Sequence, residues 1–126
     1  MPIISCDIGL KPTPAIVEAA VTGLMLMSLE QMRAGTRIPP IYESGVRYER
    51  EPYRRERWQT ALESYQRGVA DCEDLAAWLC AELRFNGEAA RIHCYAPKPG
   101  LIHCVVERAN GQLEDPSRKL GMGGVG

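Results

Sequence analysis

From Ile16 onward, apolar residues recur at helical spacing through Val17, Ala20, Val21, Leu24, Met27, Leu29 and Met32, until Gly35 stops the pattern. Thr13 can cap this segment and Pro14 suits its first position, so one long helix is expected over 13–34, apolar on more than half its circumference. The most apolar run, 15–29, contains Glu18, Thr22 and Gly23. It falls short of the roughly 20 residues that span a bilayer, so it reads as a core or packing helix and no membrane partner is expected. Ile38-Pro39-Pro40 breaks the chain. Ile41-Tyr42 and then Val46-Arg47-Tyr48-Glu49-Arg50 alternate as a half-buried strand would, and Pro52 ends it.

Thr60-Ala61-Leu62-Glu63 is a capping box, opening a short helix that ends at Gly68. Asp71 can cap a second helix, in which Cys72, Leu75, Ala76, Leu79 and Leu83 form one apolar face and Asn86-Gly87 is the stop signal. Residues 90–95 and 101–107 read as strands separated by Pro97-Lys98-Pro99-Gly100. Asn110-Gly111 then turns the second into a third over 112–115. Helices first and strands afterwards, with no repeat and no splitting linker, predict a single α+β domain over 1–126. Its core is expected over about 42–118, with a mobile glycine-rich tail over 119–126.

Composition narrows the function. With 126 residues, 45% hydrophobic and 25% charged, the chain has the balance of one folded domain, and its net charge of -1 gives no global field for nucleic acid or anionic lipid. Arg47, Arg50, Arg54, Arg55 and Arg57 lie close to Tyr48 and Tyr53, but Glu49, Glu51 and Glu56 interleave with them. A solvated face with cross-strand ion pairs is therefore expected there, and not a nucleic-acid site. The N-terminus has no basic start or cleavage site of a secretory signal, so a cytoplasmic or virion-associated protein is expected. Met25, Met27 and Met32 read as core filling.

Five cysteines, at 6, 72, 80, 94 and 104, include no CxxC pair, which fits neither a disulfide framework nor a four-thiolate zinc site. Cys72 stands apart because it would occupy the first turn of a helix, where unpaired amides and the helix dipole favour thiolate. Asp71, Glu73 and Asp74 oppose that, so activation needs a nearby cation. The two histidines, His93 and His103, both fall in expected strands.

Hairpin parity tests whether His103 can work with Asp115. A two-residue turn at Asn110-Gly111 puts Asp115 opposite Val106, on the face away from His103. A three-residue loop with Gly111 in a left-handed bulge puts Asp115 opposite Val105, making His103 its diagonal neighbour at roughly 7–8 Å between alpha carbons. The bulged hairpin is the one that allows a Cys nucleophile, a His base and an orienting Asp, the arrangement of acyl transfer.

Ala70-Asp71-Cys72-Glu73-Asp74-Leu75-Ala76, preceded by Trp58 and the 60–63 cap and followed by His103 and Asp115-Pro116, resembles the transglutaminase-like superfamily. The nearest flavour is that of bacterial transglutaminase-like cysteine proteinases and small phage or prophage relatives. The resemblance implies a papain-like core, with a Cys-bearing helix and an N-terminal helix on a small antiparallel sheet. It implies Cys72 as nucleophile, His103 as base, Asp115 as orienter and Trp58 shaping the acyl site, with a protein or peptide substrate and no required cofactor. Its calcium-dependent members make Asp71 and Glu73 weak calcium candidates. Ala70 departs from the glycine usual in the signature. Adjacent His93-Cys94 and His103-Cys104 point to opposite faces of their strands and do not form metal pairs, and Cys80, Cys94 and Cys104 read as core. The alternative is an inactive phage assembly protein acting through contacts of the Met-rich helix, with itself or a virion partner.

Overall fold

The computed structural model describes residues 13–50 and 58–122. Thr13 Oγ1 accepts the Ile16 N–H at 3.2 Å and Pro14 opens helix α1, Pro14–Arg33. Val17, Val21, Leu24, Met25, Ser28, Leu29 and Met32 form its buried face. That face packs on α3 (Cys72–Phe85) and on strand β3 (Arg91–Lys98). Each enclosed leucine contributes roughly 1.5–3 kcal/mol. The buried stripe is rotated from the expected one. Met25 is inside, whereas Ile16, Leu26 and Met27 face outward.

At 20 residues α1 is long and apolar enough to cross a membrane by length and composition, contrary to the sequence expectation. Its place here is as a packing helix. Two polar groups tie it to the rest of the fold: Ser28 Oγ accepts from the Ala61 amide at 2.9 Å, and Glu18 Oε1 accepts from the Cys94 amide at 3.0 Å.

The strand expected over 41–50 is reduced to β1, Arg47–Tyr48, which pairs in parallel with β2, Val69–Ala70. Residues Ile41–Glu43 form a 3-10 turn instead, and Gly45 takes a positive φ of 82°, which ends the extended run on its N-terminal side. The Arg-Glu stretch beyond Arg50 lies outside the described residues.

Helix α2, Ala61–Arg67, opens with the expected capping box and ends at left-handed Gly68. Helix α3 begins four residues after Gly68 and is buried on all sides over its first ten residues, Trp78 included. One apolar face had been expected. Alanines at 76, 77 and 81 let neighbours close in on the remaining sides, so α3 is the central element between α1 and β4 (Leu101–Glu107).

Strands β3, β4 and β5 (Leu113–Glu114) form an antiparallel sheet in that order. β3 runs through Pro97 to Lys98, with a register irregularity between Tyr95 and Lys98 that accommodates the proline. β4 pairs Val106 with Glu114 and Glu107 with Leu113, the register of the three-residue loop. Arg108 N–H donates to the Gln112 carbonyl at 2.7 Å, and Gly111 sits at φ 88°. Helix α4, Pro116–Lys119, follows at once. Leu120 accepts from the Tyr48 amide and Met122 donates to Ser117, so the start of the segment expected to be mobile is hydrogen-bonded into the fold. Residues 123–126 lie outside the described residues.

Candidate active site

The edge of β4 that faces β5 is only partly covered. β5 stops at Glu114 because Asp115 caps α4 and Pro116 has no N–H to continue the ladder. On the other side, Cys94 faces Cys104 in the β3–β4 register, yet the Cys94 N–H turns outward to Glu18. Cys94 and Cys104 are thus a non-hydrogen-bonded pair, and the Cys104 amide must point away from β3. It meets the Cys72 sulfur, which accepts from it. From this position at the strand edge, Cys72 also contacts the side chains of both His103 and Cys104, which leave the strand on opposite faces.

Asp71 sets the helix that carries Cys72. Its Oδ1 accepts from the Cys72 amide at 2.7 Å, and with Asp74 it completes a reciprocal capping box. Two of the first-turn amides expected to stand unpaired, those of Cys72 and Asp74, are thereby committed to the Asp71 carboxylate. Gln59 donates its backbone N–H to Asp74 Oδ1 at 2.8 Å. This fixes the chain immediately after Trp58 against the first turn of α3. Trp58 itself is half-buried against the core.

His103 Nε2 lies 2.7 Å from Asp115 Oδ2. Asp115 Oδ1 meanwhile accepts from the Arg118 amide at 3.3 Å. One carboxylate therefore caps α4 and holds the imidazole, leaving Nδ1 as the nitrogen on the Cys72 side. Tyr95 faces His103 across the strands, its ring edge-on at 5.8 Å, and His93 stacks on Tyr95.

The electrostatics follow from these contacts. The hydrogen bond from Cys104 is the largest influence holding the Cys72 thiol well below its ordinary range; with the His103 contacts it outweighs the opposing effect of burial. The Asp115 hydrogen bond, then that to Cys72, raise His103 to about 10. Burial works to raise Asp115, but His103 and the Arg118 amide together hold it below the usual carboxylate value. At neutral pH the pair is therefore thiolate and imidazolium. Burial lifts Asp74 to about 8, which removes one of the negative charges expected to oppose the thiolate.

Asp71, Cys72 and Glu73 place one donor atom each within 4.8 Å of one another. Calcium takes six to eight oxygens, as a rule, whereas this set offers two carboxylates, one of them already a cap, and a soft sulfur. The residues do not fit calcium. Glu73 is buried, where a solvated side chain had been expected.

Sequence reasoning missed the role of Cys104, read as core, and of Gln59 and Asp74, which brace the helix start. Cys94 stands three residues before the 97–100 turn and Cys104 four after it, so the two face each other only through the register irregularity between Tyr95 and Lys98, which the sequence does not signal. Tyr48 was also missed. Burial, then the charges of Asp71 and Cys72, push its hydroxyl to about 12, which puts it beside the same cluster. No family model matches the chain, and no curated protein or solved structure matches it either.

Proposed function

We propose that the protein is a thiol enzyme of acyl transfer, acting on amide or peptide carbonyls through Cys72, His103 and Asp115 on a papain-like, transglutaminase-like core. The observation that carries the reading is the pairing of His103 Nε2 with Asp115 Oδ2 at 2.7 Å while the same imidazole contacts Cys72. The Cys72 thiolate attacks the carbonyl carbon, His103 passes its Nδ1 proton to the leaving amine, and Asp115 keeps the ring oriented and its charge balanced. Water or a second amine then resolves the acyl-enzyme, with His103 taking a proton back. In this reading Trp58, next to Gln59, borders the acyl group.

The test is alkylation by iodoacetamide at pH 6. An ordinary thiol is ~0.3% ionised there, whereas Cys72, with its pKa held well below the ordinary range, keeps a larger thiolate fraction. Cys72 should label at least tenfold faster than the other thiols, roughly the advantage expected of a paired thiolate, and His103→Ala should abolish the preference. Uniform labelling of all cysteines overturns the proposal. A second reading, assembly through contacts, is favoured by the outward-facing Ile16, Leu26 and Met27 on α1. It requires a stable oligomer or partner complex that Cys72→Ala leaves intact.

A further inference from the structure

The three sulfurs at the sheet edge form a connected chain. Cys94 Sγ and Cys104 Sγ are 2.7 Å apart, and Cys104 contacts Cys72. Cys94 and Cys104 are directly opposed at a non-hydrogen-bonded position, where alpha carbons approach to about 4.5 Å and side chains converge, within the range a disulfide spans. Acyl transfer draws on the Cys104 hydrogen bond that holds Cys72 as thiolate, but it needs no third thiol, and any hydrogen-bond donor at 104 would serve it. We propose that Cys104 and Cys94 are a resolving pair for Cys72, so that a hydroperoxide oxidising Cys72 ends as a Cys94–Cys104 disulfide with the nucleophile restored.

The steps balance. The Cys72 thiolate attacks the peroxide oxygen, the O–O bond breaks, and hydroxide leaves as water with a proton from His103, giving a sulfenic acid. The Cys104 sulfur attacks the Cys72 sulfur. The S–O bond breaks, and the hydroxyl leaves as a second water with the Cys104 proton. The Cys94 sulfur then attacks Cys104, the Cys72–Cys104 bond breaks, and Cys72 departs as thiolate while the Cys94 proton passes to His103. Overall one hydrogen peroxide is reduced to two waters and two thiols are oxidised; a dithiol reductant resets the pair.

Burial supports this order. Cys104 is fully enclosed whereas Cys72 is 6% and Cys94 5% exposed, so a small oxidant meets the chain at one of its ends, and of these Cys72 is the one in contact with His103. Charge supports it too. The hydrogen bond to the Cys72 thiolate is the largest influence holding the proton on Cys104. A neutral sulfenic acid at Cys72 removes that influence, so Cys104 gives up its proton more readily when its target appears, although Cys94 and burial still favour the thiol.

The inference goes beyond acyl transfer, since it needs only the Cys72 thiolate. The test treats the full chain with hydrogen peroxide, alkylates the remaining thiols, and reads intact mass and non-reducing peptide maps. Wild type should lose two thiols, show a Cys94–Cys104 link and keep Cys72 open to iodoacetamide. Cys94→Ser should trap a Cys72–Cys104 disulfide that dithiothreitol reverses, and Cys104→Ser should send Cys72 to the sulfinic acid. Cys72→Ala should slow the 94–104 link by roughly tenfold or more, because the paired thiolate is the entry point. Sulfinic acid at Cys72 in wild type with Cys94 and Cys104 still reduced overturns the proposal, as does a 94–104 link that forms equally fast in Cys72→Ala. The wild-type map needs no variant to fold and no substrate, so an inactive enzyme can pass and an active one can fail.

Discussion

Asp115→Asn isolates the charge of the orienting carboxylate from its shape. The variant keeps an Oδ1 that can cap α4 through the Arg118 amide, and Asn is as good an N-cap as Asp, so folding should survive. What is lost is the charge 2.7 Å from His103 Nε2 and, because the amide nitrogen takes the Oδ2 place, the acceptor for its proton. The two side chains are only 9% and 17% exposed, so water screens the pair little. A charge-assisted hydrogen bond is worth about 1.5–3 kcal/mol, which corresponds to roughly 1–2 pKa units at the histidine. His103 stands at about 10 in the native protein, and the variant should bring it to roughly pH 8–9 by that shift. The assay is the pH dependence of Cys72 alkylation together with an NMR titration of the His103 ring. Both should show the alkaline inflection move down, and the thermal midpoint at neutral pH should fall by several degrees, because the lost interaction of about 1.5–3 kcal/mol is stability there. The folded pKa of His103 is raised above its unfolded value of about 6.5, so its contribution to stability is complete below that pH and is lost as pH rises toward 10. Asp115→Asn should shrink that alkaline loss. An inflection left where wild type has it would refute the assignment of Asp115 as the group that holds the imidazolium.

Two further outcomes test the frame around the site. Gly111→Ala meets no atom within 4 Å, so its cost is backbone strain at φ 88°, about 1–2 kcal/mol, read as a drop of several degrees in the melting midpoint; an unchanged midpoint would mean that the bulged loop does not depend on glycine. Asp74, raised to about 8 by burial, binds a proton in the folded state that the unfolded chain has released, so stability should decline as pH rises from about 4 to 8. Asp74→Asn should flatten that decline at little cost. Asp74→Ala should lose roughly 2–4 kcal/mol in urea melts, because the Gln59 and Asp71 amides lose their acceptor. A decline as steep in Asp74→Asn as in wild type would exclude Asp74 as its source.

The helices were legible because their signals are local. Thr13, the 60–63 box, Asp71 and the stop at Gly68 each act within one turn, and the structure places caps at each. The β4–β5 register was legible because Gly111 and side-chain parity leave only two arrangements. The strand over 41–50 was misread for a complementary reason. Its alternation is genuine, but Gly45 breaks the run and Arg47–Tyr48 finds only the short β2 to pair with, a long-range fact that no window contains. The burial of α3 on all sides and of Glu73 is equally non-local, since both depend on what α1 and the sheet bring against the helix.

The site owes its chemistry to a strand that is cut short. A β5 extended along β4 would satisfy the Cys104 amide with a carbonyl and leave no room for a helix terminus. Pro116 prevents that extension, and Asp115 at the break turns its side chain to two tasks, the α4 cap and the imidazole. The amide left open is a buried donor that would cost about 1–3 kcal/mol if unmet, and the sulfur of Cys72 meets it. The nucleophile is thus held in place by an amide that also adds to the lowering of its pKa by the Cys104 thiol and His103. This is why the spacing from Cys72 to His103 carries less information than the three residues from Asp115 to Ser117. The cysteine can arrive from any helix that packs there, whereas the open edge exists only because the chain turns away from the sheet at that point.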